Sequence, residues 1–356
     1  TVSGLQYPTA GAFGHRNLII NGAMLISQRA QAAVTGVTTT GYPRVDRFRM
    51  NLTTLGTWTV SKALSDGPVG FNNSFRATCT TADANPLSAD FAYISTWLEA
   101  HDLQHLKFGT SQAESLTLSF YVRSNKTGDA TVNMSQPDAN NRSLSKPYTI
   151  NSANTWEYKT ITFPGDTAGD FDNNNGIGLN VEFWLNSGSS YSNSTHGTGW
   201  GSLDQSRRNA SNLGVGGAVN DYFQITGVQL EVGEKATPFE IRSEADELAR
   251  CQRYYIDTRA GKPFEHNIIG QAINANRIGA SVFFPVPMRT APSMIIYSPG
   301  NETAGKVALY NNQAVDVGTG FVASNAREGG ANFVSNGSGL TTGNYYSFMY
   351  SADADI

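Results

Sequence analysis

Cysteine is almost missing from this chain: Cys79 and Cys251 are the two in 356 residues. Two thiols so far apart exclude a disulfide framework and a cysteine-based metal site, and they suit assembly in a reducing cytoplasm. Charge is scarce as well, at 15% of residues with a net of −4. No concentrated basic field is therefore present to attract nucleic acid or an anionic membrane surface. Long apolar runs are absent too. None approaches the roughly 20 residues of a membrane-spanning helix, and the opening "TVSGLQYPTAGAFGH" shows neither the basic start nor the apolar stretch of an export signal. The expectation is a protein with no nucleic-acid partner, no membrane insertion and no export.

What the chain does have is alternation. "SLTLSFYVRS" sets Leu116, Leu118, Phe120 and Val122 on one face and Thr117, Ser119, Tyr121 and Arg123 on the other, the pattern of a half-buried strand. "IGLNVEFWL" turns Ile177, Leu179, Val181, Phe183 and Leu185 inward and leaves Asn180, Glu182 and Trp184 opposite. In "DYFQITGVQLEVG" the apolar phase slips at Thr226-Gly227, which predicts a β-bulge, because glycine accepts the backbone that an extra residue requires. "WEYKTITFPG" also changes phase and so predicts a strand that is bulged or covered on both faces. Loops rich in Asn, Gly, Ser and Asp, such as "GDTAGDFDNNNG" and "NSGSSYSNSTHGTGWG", separate these strands. Many strands, long polar loops and few helices define an all-β fold, a β-sandwich.

One segment departs from this. "RSEADELARCQRYY" offers Ser243 as an N-cap, acidic Glu244, Asp246 and Glu247 in its first turn, and Arg250 and Arg253 near its end, charges matched to a helix dipole. Leu248, Cys251 and Tyr255 form an apolar stripe too short to be stable unless it packs on something. The segment reads either as a linker helix capping one domain or as a helix packed about a symmetry axis. Strands then resume, with Ile278, Ala280, Val282, Phe284 and Val286 in phase and Pro285 and Pro287 marking a strand end or edge. A boundary near residues 241–260 thus separates a large sandwich from a smaller C-terminal β domain.

The stretches "RNLIINGAMLISQRA" (16–30), "YPRVDRF" (42–48), "LTLSFYVRSNKTG" (116–128), "ITGVQLEVGEKATPFEIRS" (225–243), "ELARCQRYY" (247–255) and "FPVPMRTAPSM" (284–294), with the ending "SADADI", lie in order along the chain. Together they resemble phage virion proteins of the tail-fibre kind, which carry a jelly-roll module like carbohydrate-binding modules. The resemblance implies an N-terminal attachment arm at 1–15, a jelly-roll β-sandwich at 16–241, a connecting helix at 242–260 and a C-terminal β domain at 261–356. It further implies a homotrimer at the virion surface, assembled in the host cytoplasm and joined to other tail or capsid proteins. It assigns no reaction.

Several residue groups bear on chemistry. "HDLQH" would place His101 and His105 on one face of an α-helix, as in zinc peptidases, with Asp102 where those enzymes carry Glu and with no third ligand evident. "DFDNNNG" supplies Asp170, Asp172 and Asn174 as alternating oxygen donors of the kind calcium favours, although it lacks the glycine and closing Glu of an EF-hand. A solvated turn is the competing reading, and structural calcium is the one cofactor considered. No Gly-x-Ser-x-Gly elbow and no phosphate-cradling glycine loop occur, so a protein without enzymatic activity is expected. Glu182 with Asp166 or Asp170 would be the carboxylate pair of a glycosidase, were it one.

A flat ring can cover the apolar face of a pyranose while amides and acids bond its hydroxyls. Trp184, flanked by Asn180 and Glu182, is therefore the leading glycan-binding candidate, with Tyr191 and Trp200 in the following loop as companions. Alternatively, Trp184 packs beneath a loop or against a neighbouring subunit. Leu248, Cys251, Tyr255, Tyr346 and Phe348 are the candidates for trimer contacts. The leading expectation is a trimeric tail or capsid fibre component that attaches to host surface polysaccharide, three weak sites gaining avidity through effective concentration. A capsid-decoration or tail-assembly subunit and a virion-associated glycan-degrading enzyme are the alternatives.

Overall fold

The computed structural model describes residues 15–30, 32–138, 141–259, 267–335 and 337–355. The chain divides into two compact units, Thr1–Ser243 and Glu244–Ile356. The attachment arm expected at 1–15 lies outside the described residues, apart from His15.

The first unit contains β1 (Val34–Val37), β2 (Arg49–Thr53), β3 (Thr57–Leu64), β4 (Asn73–Thr81), β5 (Phe91–Glu99), β6 (Leu116–Ser124), β7 (Gly128–Gln136), β8 (Arg142–Ile150), β9 (Glu157–Phe163), β10 (Ile177–Ser187), β11 (Gly201–Ser202) and β12 (Tyr222–Val232). They form two six-stranded antiparallel sheets, ordered β1-β3-β4-β12-β6-β9 and β11-β8-β7-β10-β5-β2. From β2 to β7 the chain changes sheet at every connection but β3-β4, and β8-β9 and β9-β10 cross again. This is the β-sandwich that the alternating pattern predicts, in the jelly-roll form that the resemblance implies.

Alternation also builds the core. Leu116, Leu118, Phe120 and Val122 of β6 are all fully buried, and across the sandwich so are Leu179, Val181, Phe183 and Leu185 of β10. Phe120 ties the sheets together through edge-to-face contacts with Phe183 at 5.0 Å and Tyr148 at 5.2 Å. Each such aromatic pair adds about 0.5–1.5 kcal/mol beyond the area it buries.

The predicted bulge is present. The β12–β6 register shifts between Thr226 and Gln229, and Gly227 takes φ +60°, a left-handed conformation that a side chain would resist. The phase change read in β9 has a different cause. That strand pairs with β6 without any register shift and keeps one inward phase, Glu157, Lys159, Ile161, Phe163. Its first two inward positions are polar because Lys159 and Glu157 neutralise each other at 2.7 Å near the sheet edge.

The second unit holds α2 (Glu244–Gln252), numbered after a short α1 (Ser189–Ser192) in the first, and β13 (Tyr255–Asp257), β14 (Ile268–Asn274), β15 (Arg277–Phe283), β16 (Ser293–Tyr297), β17 (Val307–Leu309), β18 (Asn312–Val317), β19 (Val322–Arg327), β20 (Gly330–Ser335) and β21 (Tyr345–Asp353). β21 organises them: its first half lies between β14 and β17 and its second half between β16 and β13. β15 stops at Phe283, before the two prolines, as their missing N–H donors require.

This arrangement corrects most of the trimer-contact residues. Tyr255 is not helical but pairs with Asp353 in β13, and Tyr346 and Phe348 are buried in the second unit's own core. Cys251 is buried as well, while Leu248 is half-buried. The outward positions are instead Ile269 and Ile273 of β14, Phe283 of β15 and Tyr345 of β21, between 47% and 85% exposed.

Candidate functional site

β10 presents Asn180, Glu182 and Trp184 on the side away from the core, as its alternation dictates, but that side is not open. The segment from Gly188 to Asn212 folds back over it. Asn209 Nδ2 donates to Ser187 Oγ at 2.8 Å, Asn212 Nδ2 to the Ser187 carbonyl at 2.9 Å, and Ser211 N to Thr131 Oγ1 at 2.9 Å. His196 bridges Ser145 and Ser211 at 3.0 and 2.9 Å, and burial holds its imidazole below the ordinary value, so one ring nitrogen donates and the other accepts.

At the centre lies Glu182, with no exposed surface. Its carboxylate accepts from Asn180 Nδ2 (2.7 Å), Asn133 Nδ2 (3.0 Å) and Trp184 Nε1 (2.9 Å), and from Arg208 through Nη2 (2.7 Å) and Nε (3.2 Å). Around the guanidinium stand Trp184, Tyr93 and Tyr191, with ring centroids 5.1, 5.4 and 5.8 Å from Cζ. Burial, reinforced by the Glu182 charge, pushes the Tyr93 hydroxyl up to about 12, with Arg208 pulling it the other way. Trp184 stacks on Tyr93 at 4.6 Å and is entirely covered. The ring expected to meet a glycan therefore packs beneath the loop, and Asn180 and Glu182 are consumed by the same network. Tyr191 belongs to this cluster, whereas Trp200 lies elsewhere, against Phe108 and donating to the Pro164 carbonyl.

The remaining motifs resolve similarly. "HDLQH" is a 3₁₀ turn (Ala100–Leu106), in which residues four apart do not share a face, and His101 turns to Glu99 and Asp102. In "DFDNNNG", Asn174 Oδ1 accepts from the Gly176 amide and its Nδ2 donates to Asp172, while the Asp172 amide donates to Asp138. Among the described residues no group of three or more His, Cys, Asp or Glu is arranged to hold a metal ion. Asp166 is buried and paired bidentately with Arg142, and Glu182 with Arg208, so arginines occupy both carboxylates.

An open concavity lies on the outer face of the other sheet. A groove of about 800 Å³ runs over β6, β9 and β12, walled by residues 234–239, Ile241 and Phe71. Register makes its floor a ladder of three facing pairs: Tyr121 with Tyr158, Ser119 with Thr160, and Thr117 with Thr162. The two tyrosine rings lie 5.0 Å apart, and Tyr158 is 48% exposed. Phe71 continues the aromatic row to Tyr121 at 5.5 Å and to Phe239 at 5.0 Å.

The wall is fixed from below. Glu231 accepts from the Thr237 amide and hydroxyl and from Gln229 Nε2, and Gln229 Oε1 accepts from the Glu240 amide at 2.7 Å. Burial alone would raise the Glu240 carboxyl, but donors from the Asn17 and His15 amides and from Arg242 hold it below its ordinary value. The bulge shapes the inner end, because a Cβ on Gly227 would lie 2.8 Å from Phe71 Cζ and 3.1 Å from Tyr121 Cδ2. Sequence reasoning missed this site. The available signal was Tyr121 on an outward face of small hydroxyl residues, with Tyr158 at the matching phase of the next strand in the sheet.

No protein-family model matches the chain, and no curated protein matches it. Among solved structures it is similar to the tailspike protein 4 enzymatically active domain of bacteriophage CBA120, at 12% identity and TM-score 0.32, covering 61% of this chain and 21% of that one. It is also similar to a family 61 carbohydrate-binding module in complex with β-1,4-galactotriose, at 11% identity and TM-score 0.31, covering 61% of this chain and 99% of that one. A third likeness is to a family 16 carbohydrate-binding module-2, at 14% identity and TM-score 0.24, covering 49% of this chain and 84% of that one. The jelly-roll assignment stands on the strand order given above.

Proposed function

We propose that the first unit binds carbohydrate through the groove over β6, β9 and β12, without catalysis, and that the chain serves as an attachment component of a phage virion. The observation that carries the binding reading is the floor of the groove: two adjacent tyrosine rings beside paired serine and threonine hydroxyls, in a concavity of ordinary ligand-site size. Rings match the apolar face of a sugar, hydroxyls match its edge, and the pinned wall lowers the ordering cost of binding. The virion setting rests on the sequence resemblance. Within it, host surface polysaccharide is the ligand, other tail or capsid proteins are the anchors, and the virion surface is the location.

A homotrimer would multiply a weak site, and the outward apolar residues of the second unit, Phe283 above all at 85% exposed, are its contact surface in this reading. Tyr158→Ala tests the binding. The variant should fold normally and lose retention on polysaccharide from a susceptible host by at least tenfold. Unchanged retention would remove the groove from the function.

A further inference from the structure

The two ends of the groove differ in chemistry. At one end Thr117 Oγ1 and Thr162 Oγ1 already donate to the Gly233 and Glu234 carbonyls, and Glu234 and Lys235 line the mouth. In the middle rung Thr160 is exposed and its hydroxyl has no protein partner among the described residues, which leaves it for a ligand hydroxyl, while Ser119 facing it is 2% exposed. At the far end the lining turns to aromatic rings, with Tyr121 and Tyr158 keeping their phenol hydroxyls. Phe71 meets Phe239 at 77° and Tyr121 at 54°, forming a corner of rings bordered by Pro238 and by Gly70, whose Cβ position has nothing within 4 Å. Same-face rungs on a strand are about 6.6–6.8 Å apart, so three rungs extend about 13 Å, room for a short oligosaccharide rather than a single ring.

Resting on the glycan reading of this groove, we propose that its ligand directs a methyl group, from an acetamido substituent or as the C6 methyl of a 6-deoxyhexose, into the corner formed by Phe71, Phe239 and Tyr121. A fully hydroxylated sugar edge turned toward Phe71 and Phe239 would set its hydroxyls against two phenyl rings that offer no partner, whereas a methyl gains by leaving water. One buried methyl is worth roughly three- to fivefold in affinity, and avoiding a stranded hydroxyl raises the preference to about tenfold.

The test exposes the full chain to an array of bacterial and plant oligosaccharides and then titrates two matched pairs. Triacetylchitotriose against cellotriose isolates the acetamido group, and methyl α-L-fucopyranoside against methyl β-D-arabinopyranoside isolates the C6 methyl. The methyl-bearing member of at least one pair should bind about threefold to tenfold more tightly, and the pair that does so names the source. Phe239→Ala should erase that preference by weakening the methyl-bearing member more than its unmethylated partner, and Tyr158→Ala should weaken both members alike. Equal binding within both pairs overturns the methyl inference and leaves glycan binding standing. No binding anywhere on the array overturns the glycan reading and the inference with it.

Discussion

Replacing Arg208 with alanine removes the cation paired with Glu182, a carboxylate with no exposed surface. Glu182 would keep its bonds from Asn180, Asn133 and Trp184, but these are neutral donors, and the charge they surround is dry. Breaking a buried pair from one side costs about 3–5 kcal/mol, far above the ~0–1 kcal/mol of an exposed pair. The Arg208 side chain is 14% exposed and its partner 0%, which places this pair with the buried class. In a unit of this size the loss corresponds to a melting shift of roughly 6–20 °C.

Thermal and urea unfolding of the full chain, followed by tryptophan fluorescence, would measure it. The first-unit transition should move while that of the second unit stays in place, and Trp184 emission should shift to the red as its cover loosens. Arg208→Met combined with Glu182→Gln should recover most of the loss, because the uncompensated charge is gone. A loss below about 1 kcal/mol for Arg208→Ala would refute the reasoning and show that water reaches the pair despite the covering segment.

Three further outcomes follow from the same structure. Burial would raise the Glu157 carboxyl, but bonds from Lys159, the Ser152 amide and Asn151 bring it to about 2 against an ordinary 4.5; its stabilisation is therefore present above pH 4.5 and lost as pH falls toward 2, and Glu157→Gln should flatten the stability profile, measured by urea midpoints, across that window. Gly227→Ala puts a Cβ into a left-handed residue and against Phe71, so it should cost about 1–2 kcal/mol in urea unfolding and weaken glycan retention as the aromatic corner shifts. Phe283→Asp should leave unfolding unchanged within about 0.5 kcal/mol and convert any oligomer seen by light scattering to monomer; an oligomer that survives places the subunit contact elsewhere.

The fold was legible to the extent that alternation is a local property. The inward residues of β6 and β10, the slip at Gly227 and the strand end before Pro285 could each be read from a window of ten residues, because side-chain parity and missing donors act within one strand. β9 was misread where an ion pair took positions normally held by apolar residues. Tyr346 and Phe348 were misread for another reason: β21 is buried on both faces, so its parity carries no sign of which residues meet another subunit.

Sequence alone determined that Trp184 and Tyr121 each stand on the face of a strand opposite the core. Only the tertiary structure decided their different fates. Period two separates two faces but does not say what covers the outer one. Over Trp184 the cover comes from Arg208 and its neighbours, closed by an ion pair 26 residues from Glu182. Over Tyr121 the returning segment is held to one side by Glu231 and Gln229, and the face stays open. Both results depend on contacts that exist once the chain has folded back on itself, which is where a polar strand face becomes either a buried network or a binding groove.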